Sequence, residues 1–262
     1  MPLERIRMMN KKISGCIVTY NNIATIDKAV SSLLECTDAD FRLYIVDNGS
    51  TDGTPEHIEK NYPEVTVIRS GGNIGFGAGH NLILDMLDSD YHVIINPDIS
   101  VRDDVISKLA AFLDENPDAG LVSPEVRFPD GRPQILGKRT PNLRYLFASH
   151  FRGKGEAEKV LREYAMLDED YSKPFPIENA TGCFIFIRTE IFRKLGGFDK
   201  RYFMYFEDCD LSREVCRISK VIYNPLVTVY HEWHRESKRN MKLKLIHIKS
   251  MLLYFAKWTF RK

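Results

Sequence analysis

The sequence predicts an α/β protein with a mostly parallel central sheet flanked by helices. Two observations carry this. Two hydrophobic periods alternate through the first 125 residues, and each short apolar run is followed by a polar, turn-rich cluster. At 262 residues, 44% hydrophobic and 28% charged, the chain can bury one large core, and its near-average composition excludes collagen-like, disordered and coiled-coil classes.

The elements follow in order. Ile13–Tyr20 is an apolar run suited to a buried strand, and Ile26, Val30, Leu33 and Leu34 recur behind it at helical spacing. Phe41–Val46 predicts a second strand. Thr51 and Asp52 are suited to cap a helix over Pro55–Asn61, with Pro55 in its first turn. Val65–Ile68 predicts a third strand, Leu82, Ile83, Met86 and Leu87 a helix, and Tyr91–Ile95 a fourth strand. Val105, Leu109, Phe112 and Leu113 share one face of a further helix. From Phe128 to Lys173 a basic, Gly/Pro-interrupted stretch shows no single period and reads as a mobile flap. Apolar order returns at Cys183–Ile187 and Phe203–Phe206, and Met241–Lys262 reads as a basic amphipathic helix. The whole is expected as one domain in three stretches, over 1–125, 126–240 and the helix over 241–262.

Charge is divided along the chain. Residues 1–120 carry 10 Lys+Arg against 19 Asp+Glu, whereas 121–262 carry 27 against 17, so a basic second half is available to face phosphates or an anionic surface. The five cysteines are odd in number, scattered and without a CxxC pair, which encodes neither a disulfide framework nor a zinc knuckle. No apolar stretch reaches bilayer-spanning length. The expected location is therefore cytoplasmic, or peripheral on the inner face of the cell membrane.

Ligands of open α/β sheets bind at the carboxyl ends of the strands, where the polar clusters fall. Thr19-Tyr20-Asn21, Asp47-Asn48-Gly49-Ser50, Gly71-Gly72-Asn73-Ile74-Gly75 and Asn96-Pro97-Asp98 would line one edge. Asp98 is a candidate ligand for a hard divalent cation carrying a diphosphate, or else part of an ordinary strand-ending turn. Glu207-Asp208-Cys209-Asp210 follows an aromatic run; it offers a desolvated general base, or the acidic first turn of a helix over Leu211–Ile218. His231-Glu232-Trp233-His234 is not HExxH, since position 235 is Arg, but it offers a metal ligand beside a phosphate-facing cation, or a structural histidine after a strand over Val227–Tyr230. Gly75-Phe76-Gly77-Ala78-Gly79 brings backbone amides near a phosphate, yet its spacing is not the GxGxxG of nicotinamide sites.

Taken together and in this order, with Gly182-Cys183-Phe184, Gly196-Gly197-Phe198-Asp199 and Phe206–Leu211 added, these motifs resemble glycosyltransferase family 2 and its bacterial rhamnosyltransferase-like branch over nearly the whole chain. The resemblance implies a GT-A type nucleotide-diphospho-sugar transferase fold with a nucleotide-sugar-binding half over 1–125 and an acceptor-binding and catalytic half over 126–240, Mg²⁺ or Mn²⁺, and inversion at the anomeric carbon. It places Thr19, Tyr20 and Asn21 at the nucleoside, and Asp47 on the imide N–H of a uracil or thymine with Asn48 beside it. Asn73, Gly75 and Asn96 would border base, ribose or phosphates, and Asn81 is a further substrate-binding residue. Asp98 stands where the last Asp of the family's DxD stands, the first being replaced by Asn96, and His231 is the second metal ligand. Asp208 would be the base, Glu207 would position acceptor or base, and Arg235, Lys238 and Arg239 would hold phosphates.

The implied reaction moves L-rhamnose from dTDP-rhamnose to a polyprenyl-diphosphate-linked bacterial surface glycan; a UDP-hexose or UDP-galactofuranose donor needs nearly the same contacts. A sugar-nucleotide nucleotidyltransferase shares the sheet type, but strand one ends in Thr19-Tyr20-Asn21 rather than a Gly-rich triphosphate loop. A non-catalytic glycan- or nucleotide-binding scaffold would be favoured if Asp98 or Asp208 were missing, and both are present. No nucleic-acid partner is expected, and the terminal helix is left open between an anionic membrane face and the packing face of a homodimer or of the core.

Overall fold

The computed structural model describes residues 11–150, 155–233 and 241–261. The first half contains β1 (Lys12–Thr19), α1 (Ile26–Cys36), β2 (Asp40–Asp47), α2 (Thr54–Asn61), β3 (Thr66–Arg69), α3 (Phe76–His80), a 3₁₀ turn (Asn81–Met86), β4 (Tyr91–Ile95), β5 (Ile99–Ser100), α4 (Val105–Glu115) and β6 (Ala119–Arg127). The second contains α5 (Leu143–His150), α6 (Glu156–Tyr164), β7 (Phe175–Ile177), β8 (Phe184–Arg188), α7 (Thr189–Leu195), α8 (Glu207–Cys216), β9 (Lys220–His231) and α9 (Met241–Phe260). Among the described residues the strands form one sheet in the order β3-β2-β1-β4-β8-β6-β9-β5, with β7 on β9.

β1, β2, β3 and β4 are mutually parallel, with Ile17 opposite Ile45 and Ile95. Strand order reverses at β1, which has β2 on one side and β4 on the other; a reversal of this kind opens a crevice at the strand ends. β8 runs antiparallel to β4, with Ile95 opposite Phe184, so the residues that precede β8 arrive at the same edge as those that follow β4. β9 ends there too, with His231 opposite Ile99. Antiparallel pairing thus delivers the second half's polar residues to the edge where the parallel half ends.

Alternation along the strands feeds two cores. Ile13 and Ile17 of β1 pack with Ile26, Leu33 and Leu109 on one face, while Cys16 and Val18 pack with Phe192, Leu211 and Val215 on the other.

Several elements differ from expectation. The helix around Leu82–Leu87 is a short α3 followed by a 3₁₀ turn, leaving Leu82 and Met86 exposed. Thr51 does not cap α2; Gly53 occupies the cap position with a left-handed backbone, and Asp52 accepts from the Thr54 amide at 3.0 Å and the Ile23 amide at 3.0 Å. β6 escaped periodicity because Gly120, Pro124 and Glu125 interrupt its apolar run, and Pro124 sits at a register shift where a missing N–H is tolerated. α7 was also unforeseen, although Gly196, left-handed at φ +76°, is its stop signal. α8 begins at Glu207, four residues before the expected start, which puts Glu207, Asp208 and Asp210 in its first turn. The stretch from 128 to 173 is not a structureless flap in its described residues. It carries a tight turn at Phe128–Gly131 and then α5 and α6, which bury Tyr145, Ala148 and Val160 together.

Candidate active site

The first wall joins the loops after β1 and β2. Asp47 is buried; its carboxylate accepts from the amides of Gly49 and Ser50 at 3.1 and 3.2 Å and from the Thr19 hydroxyl at 3.4 Å. Asn21 ties the same loops, its amide donating to Ser50 Oγ at 2.9 Å and its Oδ1 accepting from the Thr51 amide at 2.8 Å. That bridge requires the left-handed backbone of Asn21, φ 58°, which asparagine tolerates better than most residues. Tyr20 beside it is half exposed.

The loop after β3 is built around Gly75. The Asn48 side-chain amide donates to its carbonyl at 3.1 Å, its own amide donates to Asn73 Oδ1 at 3.1 Å, and a Cβ would stand 2.2 Å from the Phe203 carbonyl oxygen. Gly77 and Gly79 lie against Phe198 and Val18, so the Gly-rich segment serves close packing. Asn81 is a brace: it donates to the Phe198 carbonyl at 2.7 Å and accepts the Phe198 amide at 2.8 Å, which spends both ends of its carboxamide on the main chain.

The second wall holds Asn96, Asp98 and His231. Pairing of Ile99 with His231 brings Nε2 of His231 to 3.3 Å from Oδ1 of Asp98, with both residues largely buried. Among the described residues no third Asp, Glu, Cys or His completes a metal cluster. One carboxylate and one imidazole fit a divalent cation that takes its remaining oxygens from a diphosphate and water. Gln134, absent from every sequence motif, holds the ring: its Oε1 lies 3.0 Å from Nδ1, and its Nε2 donates to the His231 carbonyl at 2.7 Å.

The third wall is the start of α8. Asp208 Oδ2 accepts from the Gly182 amide at 2.8 Å and Oδ1 from the Cys209 amide at 2.8 Å. The next residue, Cys183, receives the Asn96 amide on its carbonyl at 2.9 Å, so two consecutive residues span from Asp208 to the Asn96–Asp98 turn. Burial pushes the Cys183 thiol up, and the charges of Asp98 and Asp208 add to the effect. Glu207 is buried with Oε2 unpartnered; desolvation, then the Asp208 charge, pushes it up to about 8. Tyr205 and Phe206 enter α8 at φ 72° and 67°, a strained backbone that packing against α9 holds in place.

Residues 14–196 match the family model described as Glycosyl transferase family 2. The chain belongs to glycosyl transferase family 2. Among curated relatives, this transferase is 27% identical over 256 residues to an N-acetylglucosaminyl-diphospho-decaprenol L-rhamnosyltransferase of Mycobacterium tuberculosis, covering 91% of this chain and 82% of that one. It is 26% identical to the rhamnosyltransferase WbbL of Escherichia coli, covering 87% and 88%. A mannosyltransferase of Pyrobaculum calidifontis, solved with GDP-Man and Mn²⁺, shares the fold with TM-score 0.67 at 16% identity; it is covered over 96% of this chain, which spans 65% of the length of that one. These likenesses bear out the GT-A type fold.

In this transferase the fourth residue of the acidic motif is held by α9. Asp210 is buried and accepts from Trp258 Nε1 at 2.8 Å and Lys257 Nζ at 2.7 Å. Lys257 also reaches Asp199 at 3.2 Å and Glu214 at 3.1 Å, so one of the helix's basic residues is an internal ion-pair centre. Tyr254 and Trp258 complete the packed face of α9, while Met241, Leu245, Ile248 and Leu252 form an exposed apolar stripe on it. Arg235, Lys238 and Arg239 lie outside the described residues.

Proposed function

We propose that this transferase moves L-rhamnose from dTDP-rhamnose to a polyprenyl-diphosphate-linked glycan with inversion. The observation that carries the reading is the pairing of two chemistries through Gly182-Cys183: a cation-holding pair, Asp98 and His231, on one side, and the carboxylate of Asp208 on the other. The names of the Mycobacterium tuberculosis and Escherichia coli relatives support the sugar, and the former supports the lipid diphosphate.

Asp208 takes the proton of the acceptor hydroxyl as that oxygen bonds to the anomeric carbon, and the bond from that carbon to the diphosphate breaks. The Gly182 and Cys209 amides orient the carboxylate and leave further lone pairs for the proton. Glu207, protonated in its buried site, offers a donor that positions the acceptor. Asp98 and His231 would hold Mg²⁺ or Mn²⁺, which supplies neutralisation of the charge on the leaving diphosphate. Tyr20 stacks on the base, and an imide N–H that reaches Asp47 replaces the long Thr19 contact of 3.4 Å. Asn48, Asn73, Gly75 and Asn96 shape the floor beneath ribose and phosphates.

The exposed stripe of α9 is flanked by Lys242, Lys244 and Lys249 and is assigned to an anionic bilayer surface, where a lipid-linked acceptor resides. Among the described residues no helix is long and apolar enough to cross a membrane.

The deciding experiment is calorimetric titration with dTDP-rhamnose, UDP-galactose and UDP-glucose, each with and without Mn²⁺. Mn²⁺-dependent binding of dTDP-rhamnose alone supports the proposal. Preference for a UDP-sugar overturns the donor, and equal affinity without Mn²⁺ overturns the metal role.

A further inference from the structure

We infer that Gln134 is a positioning residue that fixes the tautomer of His231, keeping the proton on Nδ1 and the lone pair of Nε2 directed at Asp98. The inference rests on reading Asp98 and His231 as a cation-holding pair.

The assignment follows from donor and acceptor chemistry. A main-chain carbonyl only accepts, so the Gln134 atom 2.7 Å from the His231 carbonyl is its amide nitrogen. The other end of that carboxamide is then the oxygen, which also only accepts, and it lies 3.0 Å from Nδ1. Nδ1 must therefore carry the proton. In the neutral ring Nε2 is left as an acceptor, 3.3 Å from the carboxylate oxygen Oδ1 of Asp98. Two acceptors facing one another call for a positive charge between them. Without Gln134 the ring has a cheaper arrangement: the proton moves to Nε2, donates to Asp98, and the pair satisfies itself with no cation.

The fold holds Gln134 firmly for this task. It is 5% exposed, and the turn at Phe128–Gly131 reverses the chain after β6 so that the Gln134 amide donates to the Val126 carbonyl at 2.9 Å. The ring of His231 is flanked by Trp233, stacked at 6.3 Å, which in turn stacks on Phe128 at 6.0 Å. Ligating histidines commonly have such an outer partner, and its loss costs about 10–100-fold in metal affinity.

The test uses the full chain with ¹⁵N-labelled histidine, free of metal, at a pH where His231 is neutral. The expected spectrum shows a protonated Nδ1 and an unprotonated Nε2; a proton on Nε2 in the unaltered protein overturns the inference. Gln134→Met should move the proton to Nε2 and weaken Mn²⁺ binding in the presence of dTDP about 10–100-fold. Gln134→Glu keeps an acceptor for Nδ1 while losing the donor to the His231 carbonyl, so it should retain the tautomer. A folded Gln134→Met protein, checked by thermal unfolding, with unchanged tautomer and Mn²⁺ affinity sinks the proposal. Should the unaltered protein show the expected tautomer yet bind no Mn²⁺, the metal reading fails and the role of Gln134 in setting the tautomer stands.

Discussion

The amide of Gly182 donates to Oδ2 of Asp208 at 2.8 Å, and a Cβ at position 182 would lie 3.1 Å from the Asp208 Cβ, close enough to press that side chain aside by a few tenths of an ångström. Because the carbonyl of Cys183, the next residue, accepts the Asn96 amide, the two sides of the proposed reaction share one two-residue strut. Movement of the strut would shift Asp208 relative to the Asn96–Asp98 turn.

Asp208→Asn should bind donor as the unaltered enzyme does and lose about 10²–10⁴-fold in turnover, the range for a general base. Donor titration and a transfer assay check this together; substantial turnover in the variant removes Asp208 as the base. Gly182→Ala should lower kcat with little change in donor KM.

Asp98→Ala should abolish the Mn²⁺ dependence of donor binding and weaken it by about 100-fold or more, since outer partners alone are worth about 10–100-fold. Titration with and without Mn²⁺ reads the effect. Identical curves for variant and parent in both conditions would contradict the role.

Glu207→Gln should change how stability depends on pH. In the folded protein Glu207 keeps its proton up to about pH 8, whereas the unfolded chain releases it near the ordinary 4.5. Between these values the folded state binds the extra proton, so stability falls as pH rises, with a slope of at most about 1.4 kcal/mol per pH unit from this group. Chemical denaturation across that window should show a flatter profile in Glu207→Gln. An unchanged profile would mean that Glu207 is already ionised in the fold.

Lys257→Ala should destabilise the protein by about 3–5 kcal/mol, because it leaves Asp210 buried without its cation. Deletion of Met241–Lys262 should give insoluble protein, since Tyr254 and Trp258 cover the segment that leads into Asp208. Urea unfolding and solubility measure these outcomes.

Lys242→Glu, Lys244→Glu and Lys249→Glu combined should reduce co-sedimentation with phosphatidylglycerol vesicles and leave turnover on a soluble acceptor unchanged. Unaltered vesicle binding overturns the membrane assignment. Dissociation of a dimer by Leu245→Ser with Ile248→Ser would transfer the stripe to a second copy of the chain.

Much of this was legible in the residues. Apolar runs such as Tyr91–Ile95 became strands, polar clusters fell at their carboxyl ends, and the ordered motifs pointed to the family, because buried parallel strands and their loops are specified by local composition. What periodicity could not show was pairing. β6 hides behind Gly120 and Pro124 and is strand only through its neighbours β8 and β9. Asp210 is indistinguishable in sequence from Asp208, yet packing gives it to Lys257 and Trp258 of α9, 47 and 48 residues away. Gln134 and His231, 97 residues apart, meet because β9 lies beside β6, with Tyr230 opposite Arg127, and the turn after β6 brings Gln134 back against Val126. Local composition specifies the class of fold and the chemical groups at the strand ends. Which of them face one another is a matter of long-range pairing, which sets distance and desolvation, and those decide whether a carboxylate braces a helix, meets a cation or takes a proton.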